Sequence, residues 1–435
     1  MKKFSFAVLL GLLSIAAFSQ NNKEKIVLPP NYQVDTRIDC MGYWSKMAEL
    51  GLVPVQPMYK PAPAIFTGTK VFTNKGVLVD DSPDVPVTTN VNTESENSIA
   101  GDPGDKEHIL NSNNSTVQPS TGSIYGADWY NSFDGGTTWS GNYHGAGQNN
   151  WGDPAACINL SGRYFVGYIT TGGDQSVAYS DNQGATWSVT VANNEGSSYN
   201  ILDKNHLWVD NSPVSPNMGN LYDAWMHTDS QIHVCRSITN GTSYEADISI
   251  SAGTNAGSHN QGVNIKTGPD GEVYCAWSVY DSWPSNEKAI GFSKSTDGGV
   301  TWSTATRILN NIKGIRTSGV SQNMRVNSFP SMTCDLSNGP NRGALYIVWT
   351  NIGFPGTNTG STGDVYMIKS TDKGATWSTP LKINQNAPDG KNHYLPWITC
   401  DQANGYLSIV FYDGRNVASN KTETFMAYST DGGNT

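Results

Sequence analysis

The chain is 435 residues long, carries a formal net charge of −10 at pH 7, and has only 15% charged residues against 45 glycines. The acidic balance argues against a nucleic-acid partner. Few charges and many glycines suit an all-β chain rich in turns.

The predicted elements begin with a secretory leader. Lys2 and Lys3 precede an apolar run over 6–18, and the small residues Ala17 and Ser19 mark a cleavage site before Gln20. A signal peptide is therefore expected over 1–19. The run is too short to span a bilayer comfortably, and no second stretch reaches membrane length. The mature chain is expected to be secreted or held at the cell surface, with no membrane span. Residues 20–93 read as an irregular N-terminal extension. It holds a short helix over 43–50, a proline-rich stretch over 53–63, a strand-like segment over 70–79 and the acidic turn Asp80-Asp81.

From 94 to 435 one pattern repeats. Its punctuation is a motif of the form Ser-x-Asp-x-Gly-x-Thr-Trp, clearest at Ser132-Phe133-Asp134-Gly135-Gly136-Thr137-Thr138-Trp139 and again from Ser295 to Trp302 and from Ser370 to Trp377. A copy at Ser180 carries Asn182 in the Asp place. A worn copy at Ser237 carries Thr239, Ser243 and Tyr244, and a last one runs from Ser429 through Asp431 to Thr435. The Asp or Asn side chain can bond its own backbone two residues on. The Gly supplies a positive φ, and Thr-Trp restarts a strand. Each copy reads as a tight turn with a buried aromatic anchor, so its Asp and Trp are structural.

The motifs recur at steps of 48 to 75 residues, the mark of a repeat architecture. Before each copy come an apolar strand and a strand rich in aromatics, as in Tyr274-Cys275-Ala276-Trp277 and Tyr346-Ile347-Val348-Trp349. A third strand enters the turn and a fourth leaves it. Four strands per repeat make the blade of a β-propeller. The expected fold is an all-β, six-bladed propeller of four-stranded antiparallel blades, its last blade incomplete. Trp225, Trp277 and Trp349 fall at matching positions and are expected to pack the blades. Cys40, Cys157, Cys235, Cys275, Cys334 and Cys400 are expected to be free buried thiols rather than disulfides, and no CxxC spacing suggests zinc. Neither a metal nor a cofactor is expected.

Strands alternate in direction within a blade, so the turn motifs share one face. The starts of the first strands and the ends of the second share the other, where a ligand site belongs. That mouth collects carboxylates, cations and aromatics suited to a polar ligand such as an acidic glycan. Asp203, Asp413 and Glu96 are the candidate acid/base residues. Arg325, Arg415, Lys204, His206, Asp153 and Tyr394 are the candidate substrate-binding residues, the two arginines clamping a carboxylate through paired hydrogen bonds. The alternative is that such groups are salt bridges within the propeller, Asp413 with Arg415 among them.

The turn motif resembles the Asp box of the sialidase, or bacterial neuraminidase repeat, family over roughly 94–435. The resemblance implies a six-bladed propeller with its boxes opposite the active-site mouth. It also implies an Arg triad, a Tyr nucleophile with a Glu partner, and an Asp acid/base. The chain departs from that pattern: no Phe/Tyr-Arg-Ile-Pro segment precedes the first box, and Arg37-Ile38 is followed by Asp39 and comes too early in the order. Two functions are therefore expected. One is an exported sialidase-like exo-glycosidase acting on extracellular glycans. The other is a non-catalytic propeller that binds glycan or glycoprotein, since the fold does not fix the activity.

Overall fold

The computed structural model describes residues 26–55, 71–73, 76–78, 85–90, 92–117, 123–254, 259–320, 324–385 and 389–435. The expected signal peptide lies outside the described residues, as do most of the proline-rich stretch and the acidic turn. The chain divides into a short unit, Met1–Val34, and a large one, Asp35–Thr435. In the short unit the described residues form one turn, Tyr32 N–H donating to the Pro29 carbonyl at 3.1 Å.

The large unit begins with a helix, Met41–Glu49. Two short strands of the extension, Val71–Thr73 and Gly76–Leu78, pair with each other as a hairpin. Six antiparallel sheets follow in chain order. The first holds Thr93–Asp102, Asp105–Val117, Trp129–Ser132 and Ser140–Asn142, with Ser123–Ala127 added to its second strand. The second holds Gly152–Ile158, Tyr164–Ile169, Gln175–Ser180 and Ser188–Asn193. The third holds Asp203–Val209, Leu221–Met226, Ile232–Ser237 and Ile248–Ser249. The fourth runs from His259–Thr267 through Val273–Tyr280 and Ala289–Ser295 to Thr306–Asn310. The fifth runs from Ser331–Cys334 through Leu345–Ile352 and Gly363–Ser370 to Leu381–Lys382. The sixth has His393–Cys400, Leu407–Asp413 and Glu423–Ser429. This is the expected propeller of six blades, each first strand innermost. No helix among the described residues is long and apolar enough to cross a membrane.

Core lies between successive blades, because each sheet is apolar on both faces and must cover both. Trp277 joins Ile232, Val234 and Ile265 between the third and fourth blades, and Trp349 joins Ile290, Phe292 and Met332 between the fourth and fifth. Trp225, Trp277 and Trp349 are fully buried, and all six cysteines are buried and free. The sixth sheet instead leaves Trp397, Val410, Tyr412, Met426 and Tyr428 exposed.

Each repeated motif sits in the turn after a third strand, and its hydrogen bonds explain its residues. In the fourth blade Ser295 Oγ donates to Asp297 Oδ1 at 2.7 Å and accepts the Gly299 N–H at 2.8 Å. Asp297 then accepts the Thr301 N–H at 2.9 Å and the Thr301 hydroxyl at 2.6 Å. The Thr301 hydroxyl and amide hold Asp297 down to about 2. Gly299 has φ +85, and a Cβ there would lie 2.9 Å from Tyr222 Cε1 of the neighbouring blade. Asn182 keeps the pattern, accepting Thr186 N–H at 2.8 Å. Ser295→Ala leaves the buried Gly299 N–H without its acceptor, so the variant should lose about 1–3 kcal/mol of unfolding free energy. Urea unfolding checks this.

Candidate functional site

The mouth is shaped by one irregularity of the first strands. In five of them the pairing register slips near the start, at Ser95/Ser98, Gly152/Ala155, Asp203/His206, Gln261/Asn264 and Tyr394/Trp397. Each slip holds a residue of positive φ: Glu96 (53), Asp153 (59, after Gly152 at 92), Lys204 (53), Gly262 (68) and Leu395 (50). A non-glycine residue there costs about 1–2 kcal/mol. Such bulges re-aim side chains beside functional sites. Here they bring Glu96, Asp153 and Lys204 from three consecutive blades together. Lys204 Nζ lies 2.8 Å from Glu96 Oε2, and the Lys204 amide donates to Asp153 Oδ2 at 3.0 Å.

The environment separates these carboxyls. Burial works against Glu96, but Lys204 and Arg325 hold it below its usual range. Burial, then the Glu96 charge, raises Asp153 to about 7. Burial with Asp153 and Asp39 pushes Asp203 well above the ordinary carboxylate range. An ionised carboxylate beside one that titrates near neutrality is the pattern of an acid/base pair.

Residues 36–47 of the extension fill this mouth. The Asp39 N–H donates to Asp203 Oδ2 at 3.2 Å, and Gln261 Nε2 bridges Asp203 Oδ2 (2.8 Å) and the Arg37 carbonyl (3.1 Å). Arg316 grips the Asp39 carboxylate with both Nη atoms, at 2.6 and 2.5 Å. Arg325 adds Nη1 at 3.3 Å from Asp39 Oδ1 and donates from Nη2 to the Asp39 carbonyl at 2.9 Å. Behind Asp39, Ile38, Cys40, Tyr43 and Met47 are buried, and Cys40 Sγ donates to the Trp151 carbonyl at 3.6 Å. Gly42 lies so close to Trp151 that a Cβ would fall 2.0 Å from its Cγ. Trp283 Nε1 donates to Thr36 Oγ1 at 2.7 Å.

Beside the arginines, buried Tyr280 donates its hydroxyl to Glu287 Oε1 at 2.8 Å, while Glu287 Oε2 accepts the Arg316 N–H at 3.3 Å. Burial and then the Glu287 charge raise Tyr280 well above its normal range. His259 stacks flat on Tyr280, centroids 4.3 Å apart, and burial takes it down to about 3.

Of the residues expected at the site, Glu96, Asp153, Asp203, Lys204 and Arg325 are in this cluster. His206 accepts the Ile265 N–H at 3.4 Å and lies 5.8 Å from the Trp397 ring. Burial, then Lys266 and Lys204, push it well below its usual range. Tyr394 packs among Ile315, Val326 and Ile352, its hydroxyl on Met324 Sδ at 3.7 Å. Asp413 and Arg415 bind each other, with Nε to Oδ2 at 2.7 Å, and Arg415 lies 4.4 Å over the Phe425 ring. The clamp expected of Arg325 with Arg415 is thus made by Arg325 with Arg316. The expected salt-bridge alternative describes Arg415. Arg316, Asp39 and Glu287 were not singled out from the sequence. Arg316 stands in the long loop between the fourth and fifth blades, and loop length was its one available signal.

Asp413 also lies 3.3 Å from His393 Nε2, and Asp364 lies 3.3 Å from its Nδ1. Burial opposes the imidazolium charge, yet Asp364 and Asp413 carry His393 up to about 9. Its folded value stands above the ordinary one. The stability it contributes is complete below about pH 6.5 and is lost as pH rises through about 9. Thermal melts should fall across that window, and the fall should be shallower in His393→Gln.

No protein-family model and no curated protein sequence matches the chain. Among solved structures it is similar to a leech intramolecular trans-sialidase, at 12% identity over 81% of this chain and 70% of that one, with TM-score 0.50. It is similar to a variant of the NanB sialidase from Streptococcus pneumoniae, at 10% identity over 81% of this chain and 71% of that one, also with TM-score 0.50. The likeness is one of fold, the propeller of the sialidases.

Proposed function

We propose that the chain is an exported propeller of the Asp-box type that binds an extracellular glycan or glycoprotein and does not hydrolyse it at its centre. The observation that carries this reading is the engagement of Arg316 and Arg325 by Asp39. A carboxylated sugar would have to displace a carboxylate already held in place by the chain. It would also have to lift out Ile38, Cys40, Tyr43 and Met47, all buried, and re-exposing a large apolar side chain costs about 1.5–3 kcal/mol. A monosaccharide's few hydrogen bonds, each worth about 1 kcal/mol net, do not offset that. Lys2, Lys3 and the apolar run after them support export. The test pairs turnover of sialyl and neutral aryl glycosides with a glycan array. Array binding without turnover is expected, and turnover by folded wild-type protein would overturn the reading.

One set of contacts favours a second reading, an exo-glycosidase that works when residues 35–49 leave the mouth. The arginine pair adjoins the Tyr280–Glu287 hydrogen bond, the residue types of a sialidase nucleophile. On this reading Asp39→Ala gains sialoside turnover. On the first it gains none.

A further inference from the structure

We propose that the third blade carries a transition-metal site of the zinc class, with His227, Asp229 and His233 as ligands. It lies at the connection between the second and third strands of that blade, and none of its residues belongs to the Asp39 cluster.

Both imidazoles already face the Asp229 carboxylate. His227 Nδ1 is 3.4 Å from Asp229 Oδ1, and His233 Nε2 is 3.2 Å from Asp229 Oδ2. One atom from each of the three residues lies within 4.8 Å of the others. Those two gaps are long for charge-assisted hydrogen bonds, which run about 2.7–2.9 Å. They are close to the roughly 3.3 Å between neighbouring ligand atoms on a tetrahedral ion with bonds of about 2.0–2.1 Å, each imidazole facing its own oxygen of Asp229.

The outer nitrogens are committed in the way metal-ligating histidines require. His227 Nε2 is 2.9 Å from Glu195 Oε2, and His233 Nδ1 is 2.5 Å from Asp247 Oδ2. Asn193 joins these two carboxylate residues: its Nδ2 donates to Asp247 Oδ1 at 2.8 Å, and its Oδ1 accepts the Glu195 N–H at 2.7 Å. A carboxylate on the far nitrogen fixes the tautomer and leaves the near nitrogen's lone pair for an ion. Thr228 Oγ1 also lies 3.4 Å from His227 Nδ1. The Gln231 N–H orients Asp229 through Oδ1 at 2.9 Å.

The two rings stack with centroids 4.1 Å apart and planes 16° apart, so an ion held by both splays them. The turn gives room for this, since the Asp229 side chain is 49% exposed and the ion enters past it. Two imidazoles with one carboxylate select zinc-class ions over calcium or magnesium. Three protein ligands leave a fourth position to water.

The test is calorimetric titration of the untagged chain with ZnCl2 and, separately, CaCl2. One Zn2+ per chain is expected, with no matching Ca2+ signal. Asp229→Asn and His233→Gln should each weaken Zn2+ binding at least tenfold. Asp247→Asn, one step removed from the ion, should weaken it about 10–100-fold. Circular dichroism confirms that each variant is folded, and ring NMR signals of His227 and His233 should both shift with Zn2+ in the wild type. Absence of Zn2+ binding to folded wild-type protein, binding unchanged in both ligand variants, or equal binding of Ca2+ would overturn the assignment.

Discussion

Replacing Asp39 with alanine should lower the unfolding free energy by about 3–5 kcal/mol, the usual cost of stranding one member of a buried ion pair. The side chains of Arg316 and Asp39 are each only 8% exposed. Asp39→Ala leaves the Arg316 guanidinium in a dry site without its carboxylate partner, and the Trp283 ring 5.4 Å beneath it offers only a weaker cation–π contact. Much of that loss measures the stranded charge and not the worth of the pair. A double variant, Asp39→Leu with Arg316→Met, should therefore recover most of it, because replacing both members with apolar groups is often neutral or better. Urea unfolding of the two single variants and the double one measures the coupling. A change below about 0.5 kcal/mol in Asp39→Ala, the level of an ordinary surface substitution, would mean the pair is not closed in solution.

Gly42→Ala gives the second large effect, and its sign is diagnostic. Gly42 lies in the helix Met41–Glu49 and its φ is not positive. On helix propensity alone alanine should stabilise by about 0.8–1 kcal/mol. In the fold, the added Cβ would lie 2.0 Å from Trp151 Cγ and 2.3 Å from its Cδ2. Either the indole moves, disturbing the strand that carries Asp153, or the helix lifts and exposes Tyr43 and Met47. Overpacking of this kind costs about 1–3 kcal/mol, enough to reverse the propensity gain. A melting temperature below wild type is expected, whereas one above it would place the helix away from Trp151.

The blades were legible because their signals are local. A Ser, an Asp, a Gly and a Trp at fixed offsets state a turn and its anchor, and six copies state a ring. The facing of the site followed from strand alternation, and five of the residues chosen at strand starts do meet. The clamp was not legible because its halves are 277 positions apart. Asp39 was visible in Arg37-Ile38-Asp39, but its place in the chain pointed away from the mouth, and only docking of the helix brings it there. The bulges were equally hidden. Nothing in Glu96, Lys204 or Leu395 as residue types announces a positive φ, since none is a glycine, asparagine or aspartate. Arg415 shows the opposite failure: Asp413 two positions away satisfies it locally, so reaching the mouth would cost a formed ion pair.

Residues 35–49 close the mouth, and Cys40 reports on that directly. Cys40 belongs to this segment, while Cys157, Cys235, Cys275, Cys334 and Cys400 belong to the blades, and all six are buried and free. Thiol labelling of the native wild-type chain, read by mass spectrometry at each cysteine, separates the two populations. Cys40 should be protected as long as the blade cysteines are, and should become the first to react in Asp39→Ala and Gly42→Ala. Labelling of Cys40 in the native wild type at the rate of an unfolded thiol, with the blade cysteines still protected, would contradict the account.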